Sequence, residues 1–190
     1  DNYMVIPDFL TRGDGISIVS PASSIIPDYV NGSVNILNGW ALSVNIALNC
    51  FGKDGYYSGT IDERMSDFRH ALYDPAVKAV LCSRGGYGAV HLLDGLTDDI
   101  ARNPKWIIGF SDISALHALC VSRGVMSLHA PMCKHLAIEP ADNRCTYYLR
   151  QILFGEIPEY KENPHPLNRC GEGRGMLVGG NMAVLCGLIS

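Results

Sequence analysis

The 190 residues carry a formal charge of −4, with 47% hydrophobic and 18% charged residues, the make-up of a globular protein with room for one full core and part of a second. That balance gives no reason to expect nucleic acid as a partner, and no Lys/Arg run suggests an anionic membrane surface. No apolar stretch approaches the roughly 18 residues of a membrane-spanning helix, so no membrane partner is expected.

The first residues, Asp1 to Pro7, lack the charged and apolar regions of a signal peptide. Seven cysteines, at 50, 82, 120, 133, 145, 170 and 186, form no C-x-x-C pair, and an odd, scattered set predicts free thiols in a reducing compartment. The chain is therefore expected to be cytoplasmic.

Ile16 to Val19 reads as a short strand leaving through Ser20-Pro21-Ala22-Ser23. Pro27 suits the first turn of a helix, and Val30, Val34 and Leu37 share one face of it. Val44, Ile46 and Leu48 then alternate with Ser43, Asn45 and Ala47, the period of a strand. After the loop Gly52 to Gly59, Thr60-Ile61-Asp62-Glu63 has capping-box spacing, Ile61, Met65, Phe68 and Leu72 form an apolar face, and Arg69 and His70 fall in the last turn, where the dipole favours cations. Asp74-Pro75 ends that helix. Val77 to Cys82 is the next strand, central because its second half is continuously apolar, and it leaves through Ser83-Arg84-Gly85-Gly86-Tyr87-Gly88 into a short helical stretch at His91, Leu92 and Leu93.

A further strand, Trp106 to Phe110, stops at Ser111, and Ile113, Leu116 and Cys120 then fall at i, i+3 and i+7 of a helix face. A serine at a sharp strand-to-helix turn either caps the helix, as Asp112 also could, or projects its Oγ from the sheet edge as a nucleophile. The residues alone leave both open. Gly124 is a natural C-cap, Val125 to His129 reads as a strand closed by Ala130-Pro131, and Cys145, Tyr148, Leu149, Ile152 and Leu153 mark a helix stopped by Gly155. The alternation predicts an α/β fold over residues 1–155, a doubly wound parallel sheet with helices on both faces. Residues 156–174 turn to proline, charge and glycine, a linker. Residues 175–190 read as the beginning of a smaller, truncated second domain, its apolar helix leaving Val184, Leu185, Leu188 and Ile189 without partners.

In open parallel sheets ligands bind outside the carboxyl ends of the strands, where three special loops fall: Ser20 to Ser23, Arg84 to Gly88, and Ser111-Asp112. Gly86 and Asp112 are placed to supply oxyanion-hole amides to a nucleophile at Ser111, with a plain tight turn as the alternative for the glycine loop. The dinucleotide fingerprint fails for lack of a third glycine, and no Walker A pattern is present. His70, His91, His117, His129, His135 and His165 never form H-x-x-x-H, so neither metal nor cofactor is expected. No general base is evident: His117 lies six residues along the same helix and points elsewhere, and His129, which could approach the crevice, reads as part of a structural strand exit.

Gly13-Asp14, Ser20-Pro21-Ala22, Gly59-Thr60 with Arg64, Arg84-Gly85-Gly86-Tyr87-Gly88, Gly109-Phe110-Ser111-Asp112, His129-Ala130-Pro131 and Gly179-Gly180-Asn181 occur in an order that resembles the LD-carboxypeptidases, the serine-peptidase family that also contains the microcin C self-immunity hydrolases. The resemblance implies a flavodoxin-like or class I amidotransferase-like nucleophile domain. It implies Ser111 as nucleophile, amides of Gly86 and Asp112 as oxyanion hole, and Arg84, Gly85 and Tyr87 as substrate contacts. The implied activity is a cytoplasmic, homodimeric hydrolase of peptidoglycan recycling that removes the terminal D-alanine of a muropeptide tetrapeptide. The implied triad Glu and His lie past the Gly-Gly-Asn helix, beyond residue 190, and Ala130 stands where Gly more often follows the His. Within the family the alternative substrate is an aminoacyl or peptidyl adenylate. A non-catalytic nucleotide or small-ligand module on the same sheet is the reading from another class.

Overall fold

Five strands, β1 (Gly15–Val19), β2 (Ser43–Ile46), β3 (Val77–Cys82), β4 (Trp106–Gly109) and β5 (Leu128–His129), lie parallel in the order β2-β1-β3-β4-β5. The computed structural model describes residues 4–140 and 142–189; residues 1–3, read above for a leader, and Ser190 lie outside it. From β1 the chain passes outward to β2, then returns past β1 to β3 and runs the other way to β4 and β5. This is the flavodoxin-like order, whose switch point lies between β1 and β3.

Alternate residues of the central strands face opposite ways, so the sheet is buried on both sides. Val80, Cys82 and Ile107 meet Phe68 and Leu72 of α2 (Ile61–Tyr73), Leu96 and Ile100 of α3 (Leu93–Arg102), and Leu116 and Cys120 of α4 (Ser114–Ser122). Ala79, Leu81 and Ile108 meet Val30 and Leu37 of α1 (Pro27–Gly39), Leu136 of α5 (Cys133–Ile138) and Leu149 and Leu153 of α6 (Arg144–Leu153). The α2 start is as expected: Thr60 accepts from the Glu63 amide while the Glu63 carboxylate accepts from the Thr60 amide. Ile61, assigned to its apolar face, is instead exposed.

Three expectations are corrected. The strand expected over Val125 to His129 is only Leu128–His129, because Val125 turns away to bridge Val5 near the N-terminus. Leu48 lies past the end of β2 and is exposed. The helix α5, six residues long, lies in a stretch for which the sequence predicts no element. From 156 to 181 the chain has no helix or strand. It ends in α7 (Met182–Gly187), capped by the Asn181 side chain on the Val184 amide, and Val184 and Leu188 pack against the face that holds α4 rather than standing unpartnered.

Candidate active site

Ser111 ends the extended run of β4 and Phe110 with φ 62°, one of two non-glycine residues among those described at positive φ. That conformation costs of order 1–3 kcal/mol and persists only where the surroundings impose it. The turn swings the chain into a short 3₁₀ segment, Ser111–Ile113, and on into α4. Neither Ser111 nor Asp112 caps the helix with its side chain, so the capping alternative falls away. The half-buried Ser111 Oγ has no hydrogen-bond partner among the described residues.

The glycine loop after β3 lies directly against this turn. A Cβ on Gly85 would stand 3.1 Å from Ser111 Cβ and 3.2 Å from the Asp112 nitrogen, so a side chain there would press the serine turn back by a few tenths of an ångström. Gly86 has φ 99°, and a Cβ there would collide with the Ser23 side chain. The third loop is joined to the second: the Ser23 amide donates to Gly85 O at 3.1 Å, the Tyr87 amide to Ser23 Oγ at 3.3 Å, and Arg84 Nη1 to Ser24 O at 2.8 Å. At the switch point itself Ser20 Oγ meets Ser83 Oγ at 2.6 Å and donates to Cys50 O at 2.7 Å, while Ser58 Oγ donates to Ser20 O. The structure thus brings Arg84, Gly85, Gly86, Ser111 and Asp112 together at one sheet edge. Tyr87, 56% exposed, stands with Tyr57 and His91 at its side.

Two buried charges underlie these loops. Arg64, 2% exposed on α2, donates through Nη1 to Pro21 O at 2.8 Å and Gly88 O at 2.9 Å, and through Nε to Gly59 O at 3.2 Å. Its guanidinium lies 5.0 Å from the Tyr57 ring centre, a cation–π contact, and burial lowers its pKa. The sequence reading used Arg64 only as a family marker. The signal for its role was an arginine four residues before Phe68 and eight before Leu72, on the stripe that the helix buries. Asp112, 3% exposed, accepts from the Ala89 amide at 2.9 Å; burial pushes its carboxyl up, opposed by that bond and by His91 and Arg64.

The histidines divide as their surroundings dictate. His117 is buried, with Nε2 2.9 Å from Gly109 O and Nδ1 2.8 Å from Ser127 Oγ. A carbonyl only accepts, so Nε2 carries the proton and Nδ1 accepts from the serine, and burial lowers the pKa further. This ring pins the end of β4 and points away from Ser111 Oγ, as expected. His129 is exposed, its ring 6.0 Å from that of Phe110, and no hydrogen bond ties it to Ser111. Among the described residues no group of three or more His, Cys, Asp or Glu is placed to hold a metal ion.

The family model for the LD-carboxypeptidase N-terminal domain matches residues 16–130. The murein tetrapeptide carboxypeptidase of Pseudomonas aeruginosa is 27% identical over 179 residues, covering 90% of this chain and 58% of that protein. The microcin C7 self-immunity protein MccF of Escherichia coli is 39% identical over 80 residues, 41% of this chain and 23% of that one. The crystal structure of an MccF-like protein from Bacillus anthracis superimposes with a TM-score of 0.73 at 31% identity, covering 78% of this chain and 47% of its own. The chain spans 57% to 61% of the length of the first curated relatives it matches.

Proposed function

The chain belongs to the LD-carboxypeptidase family, and we propose that it carries the nucleophile half of a serine carboxypeptidase that cuts the L,D peptide bond to the terminal D-alanine of muropeptide tetrapeptides. The observation that carries this reading is Ser111 itself, held at φ 62° at the end of β4 with its hydroxyl unpaired and a glycine backbone against it. In the proposed reaction Ser111 Oγ attacks the scissile carbonyl, and the amides of Gly86 and Asp112 receive the negative charge that develops on its oxygen. The hydroxyl proton passes to a base and then to the departing D-alanine amine, and water releases the acyl group from the serine. No described residue is hydrogen-bonded to Ser111 Oγ, so the base is assigned to the part of the relatives' length that this chain does not span. Arg84, Gly85 and Tyr87 are assigned to the substrate.

The same reading takes residues 1–155 as the nucleophile domain, 156–174 as a linker and 175–190 as the opening of a second domain, supported by the exposed, irregular course of 156–181. It places the protein in the cytoplasm, which the seven unpaired cysteines support, and as a homodimer, which sedimentation checks. The likeness to MccF and to the B. anthracis protein supports a second substrate class, aminoacyl or peptidyl adenylates. Full-length protein assayed side by side on a muropeptide tetrapeptide and an aminoacyl sulfamoyl adenosine decides between them. Release of D-alanine alone is the expected result. Hydrolysis of the adenylate analogue alone overturns the assignment, and binding without turnover of either favours a non-catalytic module.

A further inference from the structure

The glycine loop that faces Ser111 has little means of fixing itself. Between Gly85 and Gly88 its one side chain, Tyr87, is exposed, so the position of its backbone is set by neighbours that grip it. Three of these grips come from the β1 side of the site: the Ser23 amide on Gly85 O, Ser23 Oγ on the Tyr87 amide, and Arg64 on Gly88 O. They hold the loop to the switch point but say nothing about its distance from the serine. Crossing from the loop side to the serine turn, the Ala89 amide donates to Asp112 Oδ2 at 2.9 Å, and the Gly88 backbone also reaches the same carboxylate.

Asp112 therefore occupies two places at once. Its amide is one of the two assigned to the oxyanion, and its carboxylate holds the strand exit that carries the other, Gly86. We propose that the Asp112 carboxylate is a positioning group that sets the spacing between the two oxyanion-hole amides, a role separate from that of its own N–H and one that rests on the serine-hydrolase reading above. The chemistry demands such a tie. Amides aimed at a developing oxyanion act only if held within about 0.5 Å of the productive geometry, and a glycine backbone drifts unless its own hydrogen bonds are satisfied. A carboxylate is costly to bury, and here it is 3% exposed with the Arg64 guanidinium nearby to temper that cost. The grip needs an acceptor of this length and direction, which asparagine also offers, rather than a negative charge.

The test uses the full-length protein and a fluorophosphonate probe, which the serine attacks so that an O–P bond forms as the P–F bond breaks, fluoride and the hydroxyl proton departing, while the phosphoryl oxygen sits where the oxyanion forms. Wild type labels and S111A does not if the hydrolase reading holds; failure of wild type to label ends that reading and this inference with it. Given labelling, D112A is expected to react about a hundredfold more slowly, the effect of losing one oxyanion donor, while equilibrium binding of the tripeptide product stays within about threefold. D112N is expected to recover most of the loss, because its carbonyl oxygen still accepts from the Ala89 amide. Labelling of D112A at the wild-type rate overturns the proposal, as does a D112N rate as low as that of D112A. Should D112A not fold, D112S, whose side chain is too short to reach Ala89, takes its place with the same expectation.

Discussion

Ala41 and Ser111 share a backbone conformation, φ 62° in each, at opposite ends of the sheet. Ala41 follows α1 just before β2; its amide donates to Asn38 O at 2.8 Å and its carbonyl accepts from Gly13 at 2.7 Å, so every polar group is used in finishing a helix and starting a strand. Ser111 follows β4, its hydroxyl is left free, and the backbone of a glycine-rich loop stands against it. The local strain is the same in kind. Strain shows where a fold over-determines its backbone, and it points to chemistry only where the strained residue carries a reactive group into space that the structure keeps open.

The largest effect that bears on this contrast comes from removing the reactive group alone. In the full-length protein, Ser111→Ala is expected to lower kcat/KM for the substrate by more than about a thousandfold, because triad members act as a unit. Its urea midpoint is expected to stay near wild type, since alanine endures the same φ no better than serine does. Kinetics and denaturant titration check both halves. A fall in stability with activity preserved would put Ser111 in the same class as Ala41, a structural turn and nothing more.

Next in size is the loss of the buried guanidinium that ties the open side of the comparison together. Arg64→Met leaves the carbonyls of Pro21, Gly88 and Gly59 without their donor, at an expected cost of about 3 kcal/mol. The desolvation that lowers the Arg64 pKa offsets part of the gain from those bonds, so the figure is well below the sum of three charged hydrogen bonds. An unchanged midpoint in urea would mean that the loops hold their shape without it.

What the sequence disclosed of this arrangement follows the length of the patterns involved. β3 and the Thr60 helix start were legible because six residues of near-continuous apolar character and a four-residue capping box are local signals that need no partner to be read. The strand at Val125 was misjudged because its apolar residues are spent on a bridge to Val5, 120 positions away, and no local period records that. The α5 helix was missed for a related reason: six residues hold too few turns to show a face, and packing on α1 rather than propensity stabilises it. At the site, residue types narrowed Ser111 to two roles, and only the geometry removed the capping one. The Asp112 carboxylate, engaged with Ala89 rather than with the helix, left no trace in the residues around it.

A smaller effect, dependent on pH, tests how firmly the end of β4 is held behind the serine. His117 is neutral in the fold, and burial lowers its pKa below the usual 6.5. As pH falls through 6.5 the unfolded chain takes up a proton that the folded chain refuses, so stability drops with pH and levels off once the folded value is passed. Above 6.5 both states are neutral and the group contributes no slope. Thermal unfolding midpoints followed from pH 7.5 to pH 5 should therefore fall more steeply for wild type than for His117→Gln, which keeps hydrogen-bonding capacity without titrating. Parallel profiles would mean that the ring is reached by water or re-pairs on protonation.

The smallest effect separates the two strained residues most cleanly. Glycine meets no Cβ penalty at φ 62°, so substitution relieves strain at either position, while the greater freedom of glycine in the unfolded chain takes back roughly 0.4–1 kcal/mol. Ala41→Gly should therefore gain about 0.5 kcal/mol in urea unfolding and leave fluorophosphonate labelling untouched, since the residue lies at the far end of the sheet from Ser111. Ser111→Gly should show a gain of the same size and lose labelling altogether. Equal gains with opposite effects on reactivity would show that the fold exacts a similar strain at both turns and draws chemistry from one. If Ser111→Gly instead destabilised, the serine side chain would be contributing packing or hydrogen bonding that its unpaired hydroxyl does not show, and the premise that its strain is imposed from outside, by the glycine loop and the start of α4, would fail.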